Sequence, residues 1–194
     1  MKAKVDTSNI EALVVELSVN PFDAKLNYAV ANEYLRLNQT ASAVSFFLRA
    51  AEYAEDDTDT AYASLIKTAK CIENQNDRAL TVSNCLLQAI AVCSTRPEAY
   101  FLMSQFYERS GNWQECYTWA KMGYNYVGKT QNHLPKDLSL GYYGSYCFLF
   151  EIAISSWWIG RAEDSKRMLT ELSKTKGMHP IYEKAVERNL KRLS

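Results

Sequence analysis

One spacing pattern of apolar and small residues occurs three times in this chain, and it constrains the fold more than any other feature. The first two copies lie 73 positions apart, roughly two periods of the 34 to 37 residues that one helix–turn–helix unit occupies. The copies are Asn27, Val30, Ala31, Tyr34, Asn38, Ala43, Phe47 and Ala50; Tyr100, Met103, Ser104, Tyr107, Gly111, Cys116, Ala120 and Gly123; and Leu149, Ile152, Ala153, Ser156, Gly160, Ser165, Leu169 and Leu172. Such repetition predicts stacked helical hairpins.

The composition agrees with an all-α fold. Apolar residues make up 47% of the 194 residues, which is too many for a disordered chain. Seven glycines and four prolines are too few for the many turns of a β protein, and no segment sustains the alternation of a strand. We therefore expect helices throughout, with enough chain to bury a substantial core.

The helical spacing predicts a single repeat domain over residues 1–194, with a capping helix at each end. The last helix carries one apolar stripe, as needed to cover the open face of a terminal hairpin. The second hairpin is the least regular, because Lys70 stands where a small residue belongs. The predicted hairpins span about 23–54, 61–93, 97–127 and 138–174, and the capping helices about 9–19 and 180–193.

The three copies resemble the tetratricopeptide repeat (TPR), whose pattern is W-x₂-L-G-x₂-Y…A-x₃-F…P. They depart from it by lacking the final proline and by carrying Asn27, Tyr100 and Leu149 in place of the first tryptophan. The resemblance implies a right-handed α-solenoid of about four hairpins. It also implies a non-catalytic scaffold that binds a protein or peptide in a concave groove lined by the first helix of each hairpin.

The register of the repeat predicts which residues line that groove. They form a mixed apolar and polar surface, which suits a peptide or a helix with aromatic anchors. The basic clamp for a C-terminal carboxylate, known in the TPR family, is matched only at Asn32, so a receptor for chaperone tails is not expected. The predicted groove residues are Tyr28, Asn32, Lys67, Phe101, Gln105, Arg109, Phe150 and Ile154.

A second resemblance covers about residues 58–194. Several short runs resemble the helical repeat region that follows the catalytic domain in some family-2 glycosyltransferases of bacteria and phages. It implies an alternative function as an accessory helical module of a glycosyltransferase system, whose catalytic domain is absent from this chain. The runs are Thr95-Arg96-Pro97-Glu98-Ala99-Tyr100, Glu151-x-Ala153 with Trp157, Gly160-Arg161, Asp164-Ser165 and Glu187-Arg188-Asn189-Leu190.

Catalytic and metal-binding patterns are weak. Asp57-Thr58-Asp59 spells a D-x-D motif, but it follows no buried strand, and helix N-capping is the favoured interpretation. His133 and His179 lack Cys or carboxylate partners at ligand spacing, so no metal and no cofactor are expected. A stand-alone transferase using the groove as its active site is a third, disfavoured hypothesis. Trp157 and Trp158 point about 100° apart on a helix, so one of them is expected to face the groove or a partner.

The net charge and the spacing of the cysteines limit which partners and which cellular compartment are expected. With 22 basic and 22 acidic residues, the chain has no net charge to attract nucleic acid. Five scattered cysteines without a C-x-x-C spacing indicate a reducing compartment. Neither a signal peptide nor a membrane span is predicted, so we expect a cytoplasmic location. The sequence leaves the oligomeric state open.

Overall fold

The structure, a computed structural model, describes residues 8–73, 78–128 and 141–193, and these form ten α-helices and no strand. The all-α prediction is therefore confirmed for the described residues. Three sequence expectations lie wholly or partly outside them: the middle of the second hairpin at 74–77, the histidine His133 and the start of the fourth hairpin at 138–140. The helices are α1 Ser8–Val19, α2 Ala24–Arg36, α3 Thr40–Tyr53, α4 Thr58–Glu73, α5 Ala79–Val92, α6 Pro97–Arg109, α7 Trp113–Tyr124, α8 Ser145–Trp158, α9 Ala162–Leu172 and α10 Pro180–Leu193.

These helices fall into two compact units, an amino-terminal unit with α1 to α5 and a carboxy-terminal unit with α6 to α10. Within each unit, every helix packs on the next one, and the first helices of successive hairpins also touch: α2 contacts α4, and α6 contacts α8. The last helix, α10, contacts α8 in the same way. This is the packing expected of hairpins that follow one another by translation. The prediction of one domain over residues 1–194 stays a prediction.

The amino-terminal unit is built around small and aromatic residues at the repeat positions. Ala31, Ala43 and Phe47 are completely buried, so the close approach of α2 and α3 excludes water from their contact. Asn27, also buried, donates hydrogen bonds from Nδ2 to the carbonyl oxygens of Pro21 (3.0 Å) and Asp23 (2.8 Å). This side chain thereby fixes the turn that leads from α1 into α2.

The carboxy-terminal unit depends on one very close helix contact. Gly123 on α7 is buried, and a Cβ atom placed there would lie 2.5 Å from Cζ of Phe148 and 2.7 Å from Cβ of Tyr100. Both distances are far below van der Waals contact, so only glycine fits. The aromatic residues of α6 and α8 thus reach the backbone of α7 itself.

The same turn joins the two helices of three hairpins. Asn38, Gly111 and Gly160 occupy equivalent repeat positions, and all have a positive φ, of 58°, 71° and 83°. The residue after each of them donates its N–H to the carbonyl five residues earlier, as in Gln39 to Tyr34 at 2.8 Å. This is the hydrogen-bond pattern of a Schellman motif, which ends a helix with a left-handed residue. The repeat therefore extends to the backbone of its turns.

Candidate functional site

The predicted groove residues of the amino-terminal unit bond to one another. Lys67 Nζ donates to Asn32 Oδ1 at 2.9 Å, and Asn32 Nδ2 donates to the carbonyl of Tyr28 at 2.9 Å. The Tyr28 ring packs against Phe47 with its centroid 5.5 Å away. The structure thus brings Tyr28, Asn32 and Lys67 together, but with much of their bonding capacity already used.

The predicted residues of the carboxy-terminal unit divide between core and surface. Phe101 is 0% exposed, with the rings of Phe148 and Tyr142 at 5.7 and 5.4 Å, so the expectation that it lines an open groove needs correction. It is buried because α8 and the residues before it cover α6. Gln105 is half-buried and Arg109 is exposed. Phe150 and Ile154 lie on α8, and both line a cavity.

That cavity has a volume of about 480 Å³, within the range typical of ligand pockets. Its wall is formed by residues of α8 and α10, together with the end of α6, the start of α7 and the middle of α9. We refer to it as the Trp pocket. Its lining residues are Glu108, Trp113, Phe150, Ile154, Trp157, Trp158, Ser165, Leu169, Ala185, Arg188, Asn189, Arg192 and Leu193.

Three tryptophans dominate the wall of the Trp pocket. Trp113 on α7 and Trp158 on α8 stack with centroids 5.2 Å apart and planes 11° from parallel. Trp157 is 42% exposed and Trp158 is 61% exposed, so both members of the adjacent pair reach solvent. Indole rings that stay this accessible offer a large, rigid apolar surface to another molecule.

Two carboxyl groups interact electrostatically, and one of them lines the pocket. Glu108 on α6 lines the pocket, and burial raises the pKa of its carboxyl while the charges of Arg109 and Arg188 act in the opposite direction. Glu151 on α8 is only 2% exposed. Burial, and then the negative charge of Glu108, raise the pKa of Glu151 to about 8. Near neutral pH, the Glu151 carboxyl is therefore mostly protonated.

The cysteine beside this pair is not an activated nucleophile. Cys116 Sγ donates a hydrogen bond to Glu151 Oε2 at 3.8 Å. Burial and the nearby Glu151 raise the pKa of the Cys116 thiol far above its ordinary range, which suppresses the reactive thiolate. Cys71, Cys85 and Cys147 are also buried, with thiol pKa values raised by burial. These cysteines pack as small apolar side chains.

The remaining chemical motifs are structural. Asp57 Oδ1 accepts a hydrogen bond from the backbone N–H of Thr60 at 3.1 Å, and Asp57 Oδ2 accepts one from the Thr60 hydroxyl at 2.8 Å. Burial would raise the pKa of Asp57, but these bonds and the charge of Lys25 lower it overall. The D-x-D motif therefore caps α4, as expected. No group of three metal-ligating side chains occurs among the described residues.

Across residues 8–73, 78–128 and 141–193, none of the helices combines the length and apolar character needed to cross a bilayer.

Several residues of the Trp pocket, and the buried Glu151 next to its Glu108, were not predicted as site residues from the sequence. Glu151 had a usable signal, since it is the one charged residue in the apolar run from Ser145 to Trp158. Trp113 and Arg192 had none, because their meeting depends on how α7, α8 and α10 pack. The spacing within each helix does not fix those distances.

Comparison with known proteins identifies the fold. No protein-family model matches the sequence, and no curated protein matches it. Among solved structures, MamA aligns over 93% of this chain and 89% of its own, with 11% identity and a TM-score of 0.62. PilW, a type IV pilus biogenesis factor, aligns over 91% of this chain and 73% of its own, with 15% identity and a TM-score of 0.66.

A third structure carries the repeat in its description. YrrB, a TPR protein with an unusual peptide-binding site, aligns over 94% of this chain and 81% of its own, with 12% identity and a TM-score of 0.63. Such similarity establishes the fold and nothing further about function. The predicted fold class of TPR-like helical hairpins is confirmed.

Proposed function

We propose that this chain is a non-catalytic scaffold that binds a segment of another protein in the Trp pocket. The observation that carries the proposal is a cavity of about 480 Å³ walled by three tryptophans, two of which remain well exposed. Aromatic anchors of this kind supply most of the binding energy at protein interfaces. The similarity to YrrB, described as having a peptide-binding site, supports the same function.

The proposed site retains part of the groove predicted from the sequence. Phe150 and Ile154 line it, and Arg109 and Gln105 lie on the neighbouring helix α6. Tyr28, Asn32 and Lys67 form a separate candidate surface in the amino-terminal unit. We rank that surface lower, because the Asn32 and Lys67 side chains already bond to each other at 2.9 Å.

A displayed library of random 12-residue peptides, selected on the full chain, tests the proposal. An enriched peptide is then titrated into protein labelled with ¹⁵N in its four tryptophans. We expect the indole signals of Trp113, Trp157 and Trp158 to shift, while Trp119 stays unchanged. Trp119 does not line the pocket, and its Nε1 is bonded to Glu115 Oε2 at 3.1 Å.

A pair of variants provides the matched control. Trp157→Ala should weaken binding of the enriched peptide by about tenfold or more. Ile181→Ala should leave binding unchanged, because Ile181 is 63% exposed on α10 but does not line the pocket. Failure of every peptide to enrich, or shifts confined to Trp119, would contradict the proposal.

The alternative function, an accessory module of a glycosyltransferase system, has one observation in its favour. Four residues from the runs that resemble such modules, Trp157, Ser165, Arg188 and Asn189, all line the Trp pocket. In this version the segment bound there belongs to a catalytic transferase chain. We expect the purified protein alone not to turn over labelled nucleotide sugars; measurable turnover would overturn the non-catalytic assignment. The cytoplasmic location stays a prediction.

A further inference from the structure

The charged residues of the Trp pocket are unequally distributed by sign. Arg188 and Arg192 lie one turn apart on α10 and both line the pocket, whereas Glu108 is its single lining carboxylate. The positive charges of both Arg109 and Arg188 interact favourably with the Glu108 carboxylate. Glu151, which interacts with Glu108, is mostly protonated near pH 7 and adds little negative charge. The pocket therefore carries an excess of positive charge on its α10 side.

Helix ends oppose this excess only weakly. The carboxy-terminal ends of α6 and α10 each carry a partial negative charge of roughly half a unit. The last turns of these helices contain Arg109 and Lys191, which do not line the pocket and offset that partial charge. The end of α8 has no such residue, but its half charge is smaller than the charge of one guanidinium group.

The opposite wall of the pocket is apolar, with one exception. Phe150, Ile154, Trp157 and Trp158 contribute no charge from α8. Ser165 on α9 lines the pocket with a buried hydroxyl that has no hydrogen-bond partner among the described residues. A buried hydroxyl without a partner is costly, and a polar group of a bound peptide backbone would satisfy it.

We infer that the Trp pocket selects a peptide segment in which a large apolar side chain stands next to a carboxylate. The apolar side chain packs against the tryptophans, and Arg188 and Arg192 bind the carboxylate, because guanidinium groups pair with carboxylates in a well-defined geometry. This inference rests on the proposed function and specifies the chemistry of its ligand.

The same displayed random library tests it. We expect enriched peptides to carry Asp or Glu beside Trp, Phe or Leu. Replacing the acidic residue of an enriched peptide by Lys should weaken its affinity by about tenfold or more, as measured by fluorescence anisotropy. Raising the salt concentration should weaken binding of the acidic peptide.

Three charge-reversal variants locate the effect. Arg188→Glu and Arg192→Glu should each weaken the acidic peptide and favour its Lys counterpart. Both side chains are exposed, so these proteins should fold. Arg167→Glu is the control: Arg167 lies on α9, is bonded to Asp164 at 2.7 Å and does not line the pocket, so binding should not change.

The outcomes separate the two proposals. Enrichment of Lys- or Arg-bearing peptides, with Trp157→Ala abolishing binding, would overturn the charge inference and leave the proposed function intact. Acidic peptides that bind Arg188→Glu and Arg192→Glu as tightly as the original chain would also overturn it. An absence of any enrichment would overturn both.

Discussion

The two units of this chain share the same hairpin and the same turn, yet the side chains at one predicted groove position have different surroundings in each unit. Asn32, Gln105 and Ile154 are equivalent in the repeat. In the amino-terminal unit, Asn32 is bonded to Lys67 at 2.9 Å. In the carboxy-terminal unit, Ile154 instead lines a cavity of about 480 Å³. The repeat positions therefore set where a side chain stands, and the residues that occupy them decide whether a pocket opens.

The cores differ in the same manner. Ala50 in the amino-terminal unit and Gly123 in the carboxy-terminal unit are equivalent, and both are buried. The missing methyl group at Gly123 lets Phe148 and Tyr100 approach the α7 backbone. We expect the carboxy-terminal unit to tolerate change at this position far less than the amino-terminal unit does.

The largest effect should come from that position. Gly123→Val should destabilise the protein by about 3 kcal/mol or more, because its side chain would overlap Phe148 and Tyr100. Ala50→Gly should cost only about 1 kcal/mol, chiefly the lower helix propensity of glycine. Urea unfolding monitored by circular dichroism measures both. A loss of about 1 kcal/mol or less for Gly123→Val would contradict the close contact of Phe148 and Tyr100 with α7.

The second difference between the units is the buried Glu151 carboxyl of the carboxy-terminal unit, whose effect on stability depends on pH. The pKa of Glu151 is raised from 4.5 to about 8 in the folded protein, so between these values the unfolded chain binds fewer protons. Stability should therefore fall as pH rises from about 4.5 to about 8. Glu151→Gln lacks this loss and should gain about 4 kcal/mol over the original chain between pH 5 and pH 9, since a change of one in pKa corresponds to about 1.4 kcal/mol.

Melting temperatures across this pH range test the prediction. Glu163→Gln is the matched control, because Glu163 is exposed on α9 and should follow the original protein at every pH. If the stability of the original chain and that of Glu151→Gln change with pH in the same way, the carboxyl at position 151 is not neutral and buried.

The polar pair of the amino-terminal unit should have a smaller effect. Lys67→Met and Asn32→Ala each remove the 2.9 Å hydrogen bond, which we expect to contribute about 1 kcal/mol. A double-mutant cycle isolates their coupling, since the second substitution should add little once the first has broken the bond. Strict additivity would mean that the pair does not stabilise the unit.

The smallest effect should occur at the shared turn. Asn38 has a φ of 58°, where glycine is at least as well accommodated, so Asn38→Gly should change stability by at most about 0.5 kcal/mol. Gly111→Ala, at the equivalent position with a φ of 71°, should cost about 1 kcal/mol. A substantial loss for Asn38→Gly would show that the asparagine side chain has a further role.

The fold was readable from the sequence because it depends on spacing within single helices. Ala31, Ser104 and Ala153 mark the close contacts of each hairpin, and all three are completely buried. The turn residues Asn38, Gly111 and Gly160 were part of the same pattern, and all three adopt the left-handed conformation that ends the first helix. Local periodicity is enough to place such positions.

The candidate site was only partly readable, for a physical reason. Phe150 and Ile154 lie on the predicted groove face and do line the Trp pocket. Phe101 has the same repeat position as Phe150 but is completely buried, because the rings of Phe148 and Tyr142 cover it. Distances between separate helices decide such burial, and these follow from the packing of side chains that no single-helix pattern contains.

The stacked pair Trp113 and Trp158 gives the protein an intrinsic spectroscopic probe of its hairpin packing. The two rings belong to successive hairpins and lie 5.2 Å apart, nearly parallel. Chromophores this close couple their electronic transitions, so their combined circular dichroism band reports the angle between them. A change in the angle between these two hairpins should therefore alter this band in the spectrum of the unlabelled chain.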